Sequence, residues 1–202
     1  KMMEQLNIQI HSHSKVCKID GSDQSLSFQS ADGKEHVLQY SKLALALGAD
    51  QIQIDLAGDG ADQVLTVNDL QDYAVFRERI GQQKKLVILG AGLIGCEFAN
   101  DLSLGGYHVE VVDLADQVLG RLLPRVIADE LQAKLSALGV LWHLGTSAKT
   151  VSRVGDGFEI GLSNGNVLQA DCVLSAIGLR PRTELAKRAG IKTDRGIVVN
   201  RQ

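Results

Sequence analysis

The strongest constraint in the chain lies between residues 84 and 113. Leu86-Val87-Ile88-Leu89 is short and wholly apolar, the pattern of a strand covered on both faces. Gly90-Ala91-Gly92-Leu93-Ile94-Gly95 follows, and Leu93, Ile94, Phe98 and Leu102 then recur at helical spacing until Gly105-Gly106 ends the run. His108 to Asp113 is a second, valine-rich strand. A strand, a glycine turn, a helix and a second strand make one βαβ unit, which commits this stretch to a parallel sheet.

The unit continues. Pro124 can open another helix, with Val126, Ile127, Leu131, Leu135 and Leu138 as its apolar stripe and Gly139 as its stop. Val140 to Leu144 is a third strand. A short helix is predicted ahead of the unit, capped by Asn68 or Asp69, with Leu70, Tyr73, Ala74 and Ile80 on its buried side.

Gly90 to Gly95 matches G-x-G-x-x-G, a weak pattern alone and a meaningful one between an apolar strand and an apolar helix. Gly90 would permit the sharp turn, Gly92 the approach of a pyrophosphate to the backbone, and Gly95 close packing of helix on sheet. Leu93 and Ile94 open the helix there, where unpaired N–H groups and the helix dipole favour phosphate charge. Asp113 stands 23 residues after Gly90, at the end of the second strand. A carboxylate there accepts from adenosine ribose hydroxyls and repels a 2′-phosphate. Leu114 follows it and no Arg or Lys occurs before Arg121, so NADH is favoured over NADPH. Arg121 is placed either beside the adenine ribose or in solvent. Glu97 falls among Ile94, Cys96, Phe98 and Ala99, and a carboxylate on so apolar a helix needs a ligand, or a salt-bridge partner at the rim.

Composition narrows the class. The net charge of −3 gives no reason to expect nucleic acid or an anionic membrane as partner. With 45% apolar and 22% charged residues the chain reads as an ordinary globular protein. Three dispersed cysteines, Cys17, Cys96 and Cys172, match no zinc spacing and read as reduced cytoplasmic thiols, so no metal site is expected. Cys96 reads as a small buried hydrophobe. The apolar run Leu86 to Cys96 is too short to span a bilayer. His11 and His13 are expected on one face of a strand.

Residues 146–177 follow another rhythm. Short strands alternate with turns at Gly155-Asp156-Gly157 and Asn164-Gly165, an antiparallel meander that ends in the buried strand Cys172 to Ile177 and a glycine, Gly178. The start of the chain echoes it. Leu6 to His11 parallels Leu138 to His143, Asp32-Gly33 parallels Asn164-Gly165 at an offset of 132, and Leu43 to Gly48 parallels Val173 to Gly178. Either this is an internal repeat, or two meanders merely look alike. A repeat would place the first copy's glycine turn ahead of Lys1. Gly196 to Asn200 is read as a further strand.

These residues resemble a family. Gly90 to Asp113 is similar to the NADH-binding segment of two-dinucleotide-fold flavoprotein reductases, the pyridine nucleotide–disulfide oxidoreductase superfamily, in its G-x-G-x-x-G-x-E form. Tyr40 to Gly48 and Asp171 to Gly178 resemble the strand-to-glycine segments that bracket its NAD domain. Gly178 to Thr183 resembles its G-x-R-P-x-T turn, and Arg195 to Asn200 its later G-x-I-x-V strand. Within the superfamily, GAGLIGCEFANDL and GLRPRTELA look most like the rubredoxin–NAD reductases.

The resemblance implies an α/β fold: a Rossmann-like three-layer nucleotide-binding domain with an antiparallel meander, flanked by FAD-domain segments. It divides the chain into 1–50 (partial FAD domain), 51–65 (linker), 66–176 (NAD(H)-binding domain) and 177–202 (return into the FAD domain). It implies an enzyme passing a hydride from NADH to FAD and electrons singly to a small iron protein, rubredoxin first and a ferredoxin next. A disulfide reductase of the same superfamily and a non-catalytic NADH sensor are the other readings. The glutamate matching Glu97 would lie near nicotinamide and flavin and pair with a lysine of the FAD domain, with Ile177 and Gly178 nearby. That lysine, the FAD domain's own G-x-G-x-x-G and its later G-D motif are not among these residues, so the chain by itself is expected to bind NADH weakly and to lack flavin absorbance.

Overall fold

The computed structural model describes residues 8–81 and 85–200. The chain divides into two compact units, one of residues 51–179 and one made of the segments before and after it.

The divided unit holds an antiparallel meander of β1 (Lys15–Asp20), β2 (Ser25–Gln29) and β3 (Glu35–Gln39), in that order. Ile19 and Phe28 are its buried apolar side chains. The expected strand through His11 and His13 is absent: Ser12 and His13 form a turn, His13 takes a φ of 52°, and the His11 ring packs 4.9 Å from that of Phe28. Residues 43–48 form no strand either, because no neighbour among the described residues offers them a ladder; the strand begins at β4 (Ala49–Gln51).

The continuous unit is built in three layers. Its middle is a parallel sheet of β5 (Leu65–Thr66), β6 (Lys85–Leu89), β7 (His108–Asp113), β8 (Leu141–Leu144) and β12 (Cys172–Ser175), in the order β5-β12-β6-β7-β8. On one face lie α1 (Leu70–Ile80), α2 (Leu93–Leu104) and α3 (Arg125–Ala137). On the other lies a meander of β9 (Ala148–Val154), β10 (Gly157–Leu162) and β11 (Val167–Ala170). Strand alternation assigns the side chains: Leu86, Ile88, Val109, Val111 and Leu174 face the helices, whereas Val87, Leu89, Val112 and Val173 face the meander. This is the α/β architecture read from the sequence.

Asp69 caps α1, its Oδ1 accepting the Asp72 N–H at 2.9 Å. The buried face of that helix is Phe76 and Ile80; of the residues expected there, Leu70, Tyr73 and Ala74 are exposed. Phe76 meets Phe98 of α2 edge to face at 5.3 Å, which fixes α1 on α2. In α3 the expected stripe holds at Leu131 and Leu135 and fails elsewhere. Val126, Ile127 and Leu138 are exposed, and the inward face runs through Ala128, Leu131 and Leu135. Pro124 stands one place before the helix, as its cap.

Residues 57–60 lie against the free edge of β9. Ala57 N–H donates to Lys149 O at 3.0 Å, Val151 N–H to Ala57 O at 2.8 Å and Gly60 N–H to Val151 O at 2.9 Å. Each unit thus has a three-stranded meander, and Gly33 and Gly165 occupy the same turn in each with φ of 81° and 88°. The other two parallels are not matched: residues 8–11 and 43–48 form no strand, unlike Leu141–Leu144 and Cys172–Ser175, and Leu6 and Asn7 lie outside the described residues.

After β12 the chain passes through β13 (Leu179–Pro181), which pairs with β4, and into α4 (Glu184–Arg188). Gly196 to Asn200 forms only an isolated bridge, Ile197 with Thr193, and no strand.

Candidate functional site

A groove of about 590 Å³ opens at the carboxyl ends of β6, β7, β8 and β12, within the continuous unit. The strand order reverses between β6 and β12, the place where open parallel sheets form a crevice.

Gly90 leaves β6 with a φ of 111°, and its N–H donates to Val112 O at 2.7 Å. A Cβ there would sit 2.6 Å from Ala176 O, so both the backbone angle and the neighbouring strand demand glycine. Gly95 is required by packing: a Cβ would fall on the Gly90 carbonyl oxygen. Gly92 differs from both. Its φ of −75° suits any residue, and a Cβ would meet nothing within 4 Å. It caps α2 with no side-chain hydrogen bond, so the first N–H groups of the helix are left for something else. The protein's own packing accounts for Gly90 and Gly95 but not for Gly92, which borders the open groove.

Asp113 ends β7, half-buried on the groove. Its Oδ2 accepts the Ala91 N–H at 2.5 Å and its Oδ1 the Ala115 N–H at 2.7 Å. Leu93, Ile94, Arg121, Ile177 and Gly178 also line the groove. Gly178 turns with a φ of 118°, and its carbonyl accepts the Ile52 N–H at 3.1 Å.

Glu97 stands apart. It is exposed, lies outside the groove lining, and has no ion pair among the described residues. It faces solvent, so the need for a partner that an apolar helix implied does not arise among the described residues. Cys96 is buried, and burial pushes its thiol up to about 11, with the Asp113 and Glu97 charges adding to the effect. It is no nucleophile at neutral pH.

The far walls were not legible from the motif. Leu114 (76% exposed) and Leu122 (64% exposed) present apolar surface at the rim, and Thr146 to Ala148 form one side. The rule that ligands sit beyond the carboxyl ends of strands could have found Thr146, two residues past β8. Nothing in the sequence marks Leu119, which closes the groove from a left-handed backbone with φ 49°.

The family model for pyridine nucleotide-disulphide oxidoreductases matches residues 1–202. The chain belongs to the pyridine nucleotide-disulphide oxidoreductase family. Among curated members, it is 48% identical over 204 residues to the rubredoxin-NAD(+) reductase of Acinetobacter baylyi, covering 99% of this chain and 52% of the relative. It is 45% identical over 202 residues to that of Alcanivorax borkumensis, covering 100% of this chain and 52% of the relative. Among solved structures, it resembles the ferredoxin reductase for the CYP199A2 system from Rhodopseudomonas palustris. That match has a TM-score of 0.85 and 32% identity, over 98% of this chain and 48% of the other. The chain therefore spans about half the length of the relatives it matches. Among the described residues, no helix is long and apolar enough to cross a membrane.

Proposed function

We propose that this chain supplies the NADH-binding portion of a flavoprotein reductase that draws electrons from NADH, through FAD, for a small redox protein. Rubredoxin is the acceptor we favour, because the relatives with 45–48% identity carry that name. Likeness to a ferredoxin reductase makes a ferredoxin the second choice.

The observation that carries the reading is the space at Gly92, beside an uncapped helix start and across from Asp113. The residues fit a dinucleotide. Gly90, Gly92 and Gly95 shape the turn, and the N–H groups of Leu93 and Ile94 donate to the phosphate oxygens. Asp113 faces the adenosine ribose, with Arg121 beside it. Leu114 and Leu122 give a flat ring an apolar surface to lie on. Ile177 and Gly178 border the nicotinamide end, and Glu97 belongs at the same end, toward the flavin. The chain contains a single G-x-G-x-x-G, so it cradles one dinucleotide and no residue here is assigned to a flavin diphosphate. FAD, when bound in the longer protein, accepts hydride and releases electrons one at a time. What this chain contributes is placement: the turn fixes the diphosphate, and the strand ends fix the sugar and ring.

On this reading residues 66–176 are the NAD(H) domain, 51–65 the linker, and 1–50 with 177–202 parts of the FAD domain. Three free cysteines support a cytoplasmic location. The test has two stages. NADH titrated into the chain should give a saturable fluorescence change; its absence refutes the dinucleotide groove. The full-length protein, assayed with rubredoxin and with ferredoxin, should turn over NADH faster with rubredoxin; the reverse order refutes that acceptor.

A further inference from the structure

We propose that Asp113 is a positioning residue for the glycine turn, setting it for a diphosphate before any ligand arrives, as well as facing the sugar. The proposal rests on the dinucleotide reading above. Its ground is where the two carboxylate oxygens go. Oδ2 holds the Ala91 N–H, in the middle of Gly90-Ala91-Gly92, and Oδ1 holds the Ala115 N–H, at the start of the loop forming the facing wall. One side chain ties the two walls of the groove together. Both bonds are charge-assisted, a class roughly twice as strong as neutral pairs.

Ala91 is gripped from its other end too. Its carbonyl accepts the Leu119 N–H at 2.9 Å and the Cys96 S–H at 3.5 Å, and the residue is 2% exposed. Leu119 reaches that carbonyl from the left-handed region, which leucine rarely adopts. Ala91, the residue just before Gly92, is thus held on both sides, its N–H in the Gly90–Ala91 peptide by Asp113 and its C=O in the Ala91–Gly92 peptide by Leu119 and Cys96, while Gly92 itself faces open space. The orientation of the N–H groups offered to phosphate follows from these two fixed peptides. A carboxylate has about four acceptor positions, so two remain for sugar hydroxyls after both backbone bonds are made. A side chain serving only the sugar would affect only ligands that carry the adenosine. One that also sets the turn affects ligands that never reach it.

The test is nuclear magnetic resonance on the ligand-free full chain. Through a pH titration of the unmodified protein, the Ala91 and Ala115 amide protons should share one midpoint, that of the Asp113 carboxyl carbon. In Asp113→Asn, exchange of the Ala91 amide should quicken about tenfold or more while that of Val87, in the core, stays unchanged. Reduced nicotinamide mononucleotide, which lacks the adenosine sugar, should bind the variant about threefold more weakly. An Ala91 amide indifferent to the carboxyl titration, or an unchanged affinity for the mononucleotide, overturns the proposal. The titration needs no variant, so it stands if Asp113→Asn fails to fold. Failure of the dinucleotide reading would show separately, as no saturable NADH signal in the unmodified chain.

Discussion

Gly95 lies against the carbonyl oxygen of Gly90, so closely that no side chain fits between them. The first turn of α2 therefore rests on the turn that precedes it. Gly95→Ala must push the helix away from the strand end, an overpacking that costs about 1–3 kcal/mol. Urea denaturation should register that loss, and NADH affinity should fall with it as the N–H groups move.

Gly92→Ala should behave in the opposite way. The new methyl enters open space at an ordinary backbone angle, so stability should stay within about 1 kcal/mol, the scale of an N-cap change. NADH affinity should nonetheless drop about tenfold or more, because the methyl occupies the approach to the diphosphate. Denaturation and coenzyme titration on the same sample separate the two effects, and equal losses from both glycine variants would contradict the cradle.

The contrast between these glycines indicates what a sequence can and cannot reveal. Strand β6, the turn and α2 are contiguous, and their residues decide their own conformation; they were legible. The inward face of α3 was legible only at Leu131 and Leu135. Its inward face is set by Ala128, small enough to touch the sheet, while the larger Val126 and Ile127 look outward. Residues 43–48 read as a strand by composition, but a strand exists only where a neighbour offers hydrogen bonds. Asp113 was read from its place in the motif and Arg121 as the first cation after it, and both line the groove. Leu119 was invisible, because only the tertiary fold holds a leucine at positive φ to reach Ala91.

Coenzyme choice should turn on Asp113. Asp113→Ser removes the charge that opposes a 2′-phosphate, so the preference for NADH over NADPH should shrink about tenfold, a change of about 1.4 kcal/mol. The ratio of the two dissociation constants is the measure, because any common weakening of the turn cancels in it.

The cysteines should divide by burial. Cys17 is exposed, whereas Cys96 and Cys172 are buried, with thiols pushed up to about 11 chiefly by burial. One thiol should react quickly with an alkylating reagent at neutral pH, and the other two only after unfolding. A thiol raised in the fold stabilises it fully below the unfolded value near 9.0, and that contribution is lost as pH rises through about 11. Urea midpoints should fall between pH 9 and 11, with a shallower slope in Cys172→Ala.

Glu97→Gln should leave stability within about 0.5 kcal/mol, since the side chain is exposed and without an ion pair among the described residues. NADH affinity of the chain should also hold. In the full-length protein the same change should slow reduction of the flavin by NADH about tenfold or more, read by stopped-flow absorbance. An unaltered rate would remove Glu97 from the nicotinamide end.

Both faces of β6 are occupied, Leu86 and Ile88 serving one layer and Val87 and Leu89 the other. A single inserted or deleted residue in this strand would transpose the two sets and drag Gly90 out of line with Ala176. The five residues from Lys85 to Leu89 thus act as a ruler that sets the glycine turn in place, and added or lost residues are far better tolerated in the exposed loops of the unit.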